Sequence, residues 1–136
     1  MINILVTGAG GGVGQGIIKS IKLICDLDIH LIAADMSPLA SGLYGGNKAM
    51  LVPAASAKDY FNIISKICQE NNINYYFPGT DVELLKASDF SDELFKISQT
   101  KTVVCPKRVI KIANDKYHTY RFLLDNGFNA PSTSLS

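Results

Sequence analysis

The chain has 136 residues, enough for one compact core and little more. Hydrophobic residues make up 47% of it and mean hydropathy is +0.15, which excludes a disordered or fibrous chain. Thirteen basic against twelve acidic residues leave a formal charge of +1, so there is no basic field for nucleic acid to meet.

Short β-branched and aromatic runs recur at Ile2 to Thr7, Ile29 to Ala34, Ala49 to Val52, Asn74 to Phe77 and Thr102 to Cys105. They lack polar alternation, as strands covered on both faces do. The first is followed by a helical pattern with Val13, Ile17, Ile21 and Ile24 on one face. A second helix carries Tyr60, Ile64, Ile67 and Cys68, opens at Ser56 to Asp59 as a capping box and stops at Asn71 and Asn72. The stretch from Asp81 to Phe95 predicts a crossover in two short helical pieces.

Pro106 stands where a helix can start, with Val109, Ile110, Ile112 and Ala113 as its apolar face. A further helix, or a bend in this one, is expected from a cap near Asn114 to Gly127, a glycine placed to take the left-handed C-terminal conformation. Strand and helix in alternation predict an α/β fold: a doubly wound, mainly parallel sheet of about five strands with helices on both faces. The tail Asn129 to Ser136 reads as a linker or the start of a further strand.

Cys25, Cys68 and Cys105 are far apart and sit in apolar surroundings, which predicts buried reduced thiols in a cytoplasmic protein rather than a disulfide framework or a zinc site. Met1 runs straight into apolar residues without a basic stretch, so no signal peptide is expected, and no apolar run approaches the roughly 20 residues of a membrane span. Only 18% of residues are charged, and that deficit points to a surface that meets another domain or chain.

Between the first strand and helix stands Thr7-Gly8-Ala9-Gly10-Gly11-Gly12-Val13-Gly14. Glycines there permit a tight turn, turn backbone N–H groups toward an anion such as phosphate or carboxylate, and let the helix pack close to the strand. The strict G-x-G-x-x-G spacing fails at Val13, whereas the looser dehydrogenase patterns are met by Gly8, Gly11, Gly12 and Gly14. Asp35 closes the second strand where an acid in a dinucleotide fold holds the ribose hydroxyls. A nicotinamide-binding oxidoreductase or epimerase domain therefore stays open as an alternative, as does a non-catalytic interaction module. The one Tyr-x-x-x-Lys, Tyr44 to Lys48, comes too early and contains Gly45 and Gly46, so it is read as coincidence. No triad can be built on His30 or His118, which are read as packing or surface residues.

The later motifs run in a characteristic order. After the glycine loop come Ala34-Asp35-Met36-Ser37-Pro38-Leu39-Ala40, then Leu51-Val52-Pro53, then Phe77-Pro78-Gly79-Thr80-Asp81-Val82-Glu83-Leu84. Last is the series from Asn114-Asp115-Lys116 to Asn126-Gly127-Phe128-Asn129-Ala130-Pro131. This order resembles the N-terminal, pre-ATP-grasp domain of ATP-grasp ligases, and among them the proteins related to the carbamoyl phosphate synthase large subunit.

The resemblance implies that Lys116 reaches the phosphates of ATP. It implies that Thr80, Asp81 and Glu83 face the active-site cleft as candidates for substrate or interdomain contacts, with a helix cap at Thr80 as the equally weighted alternative. For an intact enzyme it implies ATP and Mg2+, a carboxylate activated as an acyl phosphate, and capture by an amine or similar nucleophile. On this reading residues 1–128 are the domain and 129–136 begin a following ATP-grasp domain. That domain would hold the metal ligands, so this chain alone is expected to be inactive and to bind ATP weakly or not at all. Its partners would be small carboxylate and amine substrates and its own ATP-grasp domain, with no nucleic acid or membrane, and homo-oligomerisation is left open.

Overall fold

The computed structural model describes residues 1–134, in two compact units, the first Met1–Val104 and the second from Cys105 onward. In the first, β1 (Ile2–Val6), α1 (Gly12–Lys22), β2 (Ile29–Asp35), a 3-10 turn (Ser41–Gly45), β3 (Lys48–Leu51), α2 (Tyr60–Glu70), β4 (Tyr75–Phe77), α3 (Asp81–Ser98) and β5 (Lys101–Thr102) follow one another. All pairings are parallel and the sheet order is β3-β2-β1-β4-β5. The chain therefore winds outward from β1 to β3, crosses back, and continues on the other side through β4 and β5.

Successive strand residues point to opposite faces, and both faces are covered. Leu5, Ile32, Ala34 and Tyr76 join Tyr60, Ile64, Ile67 and Cys68 of α2 and Ala87, Phe90 and Leu94 of α3 in one core. Ile4, Val6, Leu31 and Ala33 join Ile18 and Ile21 of α1 in the other. This two-sided burial is why the strand sequences read as unbroken apolar runs.

Several expectations shift in detail. In α1 the inward residues are Gly14, Ile18 and Ile21, while Val13 is 60% exposed and Ile24 lies beyond the helix. Gly14 fixes that rotation: a Cβ on it would collide with the carbonyl oxygen of Gly8, so Gly14 must face the strand and Val13 turns about 100° away. Helix α2 has no capping box. Asp59 precedes it without a side-chain bond, and backbone turns such as Ala57 N to Ala54 O at 2.9 Å lead into it. It does stop at Asn71, followed by Asn72 at φ 48°.

The segment expected as two pieces is one 18-residue helix, because Glu83, Ala87, Phe90 and Leu94 keep a single buried face without an interrupting Gly or Pro. β5 is Lys101–Thr102 rather than Thr102 to Cys105; β4 ends before Pro78, which has no N–H to extend the ladder. Of the three thiols only Cys68 is buried, since Cys25 follows the end of α1 and Cys105 follows β5, outside both cores.

In the second unit α4 (Lys107–Ala113) follows Pro106, and α5 (Lys116–Asp125) follows Asp115. Ile110 is the one buried residue of α4's expected apolar face. The cap of α5 is Asp115 rather than Asn114, because the Asp115 carboxylate accepts the His118 N–H at 2.8 Å, and this bond holds its pKa below the usual range. Thr119 ties the two helices together by donating to the Ile112 carbonyl at 2.7 Å. Gly127 takes φ 76°, as expected. Of the tail expected as a linker or the start of a strand, residues 129–134 form neither helix nor strand, and 135 and 136 lie outside the described residues.

Candidate functional site

The carboxyl ends of β1, β2, β3 and β4 converge on a cavity of about 390 Å³. It opens where the chain's direction of winding reverses across β1 and β4, the place where open α/β sheets bind ligands. Gly8, Gly10 and Gly11 form one side, Asp35, Met36, Ser37 and Leu39 a second, Pro53 to Ala55 a third, and Thr80, Val82 and Glu83 a fourth.

The glycine loop is shaped from within. Gly8 takes φ 60°, and Gly11 N–H donates to the Gly8 carbonyl at 3.0 Å. Gly10 N–H donates to Asp35 Oδ2 at 2.8 Å, while Asp35 Oδ1 accepts from Ser37 N–H at 2.9 Å. Two of the loop N–H groups expected to face an anion are therefore spent inside the protein. Asp35, only 9% exposed, staples the loop to the end of β2.

Under the opposite wall lies a polar network that sequence reading missed. The Tyr60 hydroxyl bonds to Glu83 Oε1 at 2.8 Å and lies 2.9 Å from the Tyr76 hydroxyl, which in turn lies 3.3 Å from Thr7 Oγ1. Glu83 Oε2 accepts from the N–H groups of Gly79 and Thr80, both at 3.1 Å. Thr80 and Glu83 thus form a capping box for α3, each side chain turned to the other's backbone N–H, and the helix cap expected at Thr80 as the alternative to a ligand contact is present. Burial, then the neighbouring hydroxyl and the Glu83 charge, push the Tyr60 pKa far above its ordinary value; burial and the same charge push Tyr76 up too. The signal that could have revealed this network was two tyrosines, Tyr60 and Tyr76, at positions whose neighbours in the same pattern are wholly apolar.

The structure brings Gly8, Gly10, Gly11, Asp35, Thr80 and Glu83 to one cavity. Gly12 and Gly14 lie in the first turn of α1, and Asp81 is the exposed first residue of α3. Lys116 is the exposed first residue of α5 in the second unit. His30 sits in β2 and His118 in α5. Tyr44 and Lys48 fall on different elements, the 3-10 turn and β3, and Lys48 donates to Asn71 at 2.7 Å, so they form no catalytic pair. Among the described residues no group of three metal-ligating side chains forms, and no helix is long and apolar enough to cross a membrane.

A family model described as the PylC-like, N-terminal domain matches residues 4–104. Solved structures resemble the whole chain or nearly so. A single-chain, multi-domain long-chain acyl-CoA carboxylase superposes with TM-score 0.62 at 14% identity over 100% of this chain and 14% of its own. The N5-carboxyaminoimidazole synthetase of Staphylococcus aureus, complexed with ADP, gives 0.62 at 12% identity over 93% and 30%. The biotin carboxylase domain of Hydrogenobacter thermophilus 2-oxoglutarate carboxylase, in complex with ADP and bicarbonate, gives 0.59 at 18% identity over 92% and 27%. At these identities the likeness is one of fold, and it shows the Rossmann-like pre-ATP-grasp arrangement of a mainly parallel five-stranded sheet with helices on both faces. The chain spans 14 to 30% of the length of these structures. No curated protein matches its sequence.

Proposed function

The chain belongs to the PylC-like N-terminal-domain family, and from that premise we propose that it is the N-terminal domain of an ATP-grasp ligase. The family match over residues 4–104 is the observation that carries this reading. When bound to the intact enzyme, ATP with Mg2+ supplies the phosphoryl group that turns a carboxylate into an acyl phosphate, which an amine or similar nucleophile then captures.

This chain's own part is to shape one wall of the cleft with the strand ends around Gly8, Asp35 and Thr80, and to present Lys116 as a point charge for phosphate oxygens. The described residues hold no cluster fit for Mg2+, so no step of the proposal passes through the metal on this chain. The domain is taken as 1–128, with 129–136 leading into an ATP-grasp domain that supplies catalysis. Alone, the chain is inactive. A cytoplasmic setting, small carboxylate and amine substrates, and homo-oligomerisation belong to the same proposal. The finer kinship with the carbamoyl phosphate synthase large subunit rests on the series from Asp115 to Pro131.

The test uses the intact protein with Mg2+ and ATP, a panel of amino acids as carboxylates, and hydroxylamine to trap acyl phosphate as a hydroxamate. Carboxylate-dependent release of ADP with hydroxamate formation is expected. No ADP release with any carboxylate, together with saturable NADH binding, would overturn the ligase in favour of an oxidoreductase domain.

A further inference from the structure

The shortage of charge in the sequence has a place in the fold. From Met36 to Ala57 the one charged side chain is Lys48, and this stretch holds the 3-10 turn and β3. β3 is an edge of the sheet, and Leu51 in it is 57% exposed. Lys48 and Met50 share a face with Ile32 and Ala34, so Ala49 and Leu51 point to the opposite face, that of α1. The 3-10 turn lies on that face, with Gly45 against Ile18 of α1, and its Tyr44 is 87% exposed.

The backbone of this edge is set to pair. Asn47 N–H donates to the Leu31 carbonyl at 2.7 Å and Val52 N–H to the Asp35 carbonyl at 3.1 Å, so the ladder with β2 reaches past β3 at both ends. Alternation along the strand then turns the N–H and C=O groups of Lys48 and Met50 outward. Proteins protect such an edge by keeping it very short, or with lysines, prolines or bulges. β5, at the other edge, is 2 residues long and carries the exposed Lys101. β3 has no proline, and its register with β2 runs one for one without a bulge. Its lysine is drawn away, because Lys48 Nζ donates to Asn71 at the end of α2, at 2.7 Å.

The occupant that fits is a second copy of the chain. The chain leaves this unit after β5, at the far edge, four strand spacings or about 19 Å from β3. A two-fold axis normal to the sheet sets two β3 strands antiparallel, so each offers its outward donors to the other's acceptors. The uncharged surface of Tyr44, Ala49 and Leu51 then meets its own kind, with no charge to select a different partner.

We propose that the β3 edge is the contact of a two-fold dimer, in which two sheets join into one and Tyr44 and Leu51 cover the joint on the α1 face. This gives the homo-oligomer proposed above its surface. It rests on that part of the reading alone and not on the ligase chemistry.

The test takes the intact protein at about 50 μM through sedimentation equilibrium and peptide-resolved amide exchange. A mass twice that of the chain is expected, with slow exchange across residues 47–52. Leu51→Lys and Tyr44→Lys each place a charge on both sides of the joint while sparing the core, and each should weaken the dimer about tenfold or more. Exchange across 47–52 should quicken in both, with far-UV circular dichroism unchanged. Phe95→Lys, at an exposed position on α3, should leave the dimer intact. A monomeric wild type, a dimer of equal affinity in both edge variants, or equal loss of the dimer in Phe95→Lys would each overturn the proposal. A monomer whose 47–52 amides are still protected would assign the edge to another segment of the intact chain, and would overturn it as well.

Discussion

The Tyr60 hydroxyl reaches Glu83 Oε1 at 2.8 Å across 23 residues of sequence, so the first turn of α3 is fastened to the first residue of α2 inside the core. Glu83 is 5% exposed, and its second oxygen holds the two N–H groups that precede α3. One buried carboxylate therefore sets both the helix start and the shape of the cavity wall around Thr80.

Tyr60→Phe keeps the ring and removes that donor. Glu83 loses one of three partners and the Tyr76 hydroxyl loses its neighbour at 2.9 Å. A loss of about 1 to 3 kcal/mol is expected, as for a buried acceptor left short of a donor. Urea unfolding measures it. An unchanged midpoint with unchanged slope would show that the carboxylate is satisfied without Tyr60.

Stability should fall on the alkaline side. Burial pushes the Cys68 thiol up to about 11 from an ordinary value of 9.0, and Tyr60 and Tyr76 are raised above their ordinary 10.0. A group whose folded pKa is raised keeps its proton in the native state while the unfolded chain has lost it, so native stability is full below the unfolded pKa and declines above it. The decline should begin near pH 9 with Cys68 and steepen past pH 10 as the tyrosines join. Unfolding free energies from pH 8 upward check this, and Cys68→Ala should flatten the stretch between 9 and 10. A wild-type curve that stays level through pH 10 would contradict it.

The sequence made the sheet legible because both faces are covered: residues such as Leu31 and Ile32 serve opposite cores, and the run shows no polar break. The glycine loop, Asp35 and Gly127 were legible because backbone conformation or a strand end dictates them locally. What local pattern does not carry is tertiary approach. Val13 reads as apolar face, yet the contact of Gly14 with the Gly8 carbonyl decides the rotation of α1. Glu83 reads as an acid in a first helical turn, and only the fold brings Tyr60 and Tyr76 to it. Asp115 instead of Asn114 as the cap of α5 is a one-residue boundary, set by which side chain can reach the His118 N–H.

Gly12 and Gly14 stand two residues apart in α1 and should respond in opposite directions to alanine. At Gly12 a Cβ meets nothing within 4 Å, so Gly12→Ala gains helix propensity, up to about 1 kcal/mol. At Gly14 the added carbon would overlap the Gly8 carbonyl and come within 3.0 Å of Ala9 Cα, which forces the helix off the strand. Gly14→Ala should cost several kcal/mol, about the range of core overpacking or more. Thermal melts of the two variants check the pair. Equal melting points would mean that α1 can shift without cost.

Lys116 gives the proposed ligase its sharpest test on this chain. It is exposed, at the start of α5, with the Asp115 cap beside it making the hydrogen bond that starts the helix. Its removal should therefore leave folding intact, and an unchanged melting curve of Lys116→Ala is the first expected result. A lysine that meets phosphate oxygens makes a charge-assisted contact worth about a tenfold change or more in affinity. In the intact protein the apparent KM for ATP should rise by about that factor while the KM for the carboxylate moves little. Lys116→Arg keeps the charge but changes its geometry, and partial recovery is expected from it. ATP kinetics identical to wild type in Lys116→Ala would take this residue out of the nucleotide site and leave the family assignment untouched, since that assignment rests on residues 4–104.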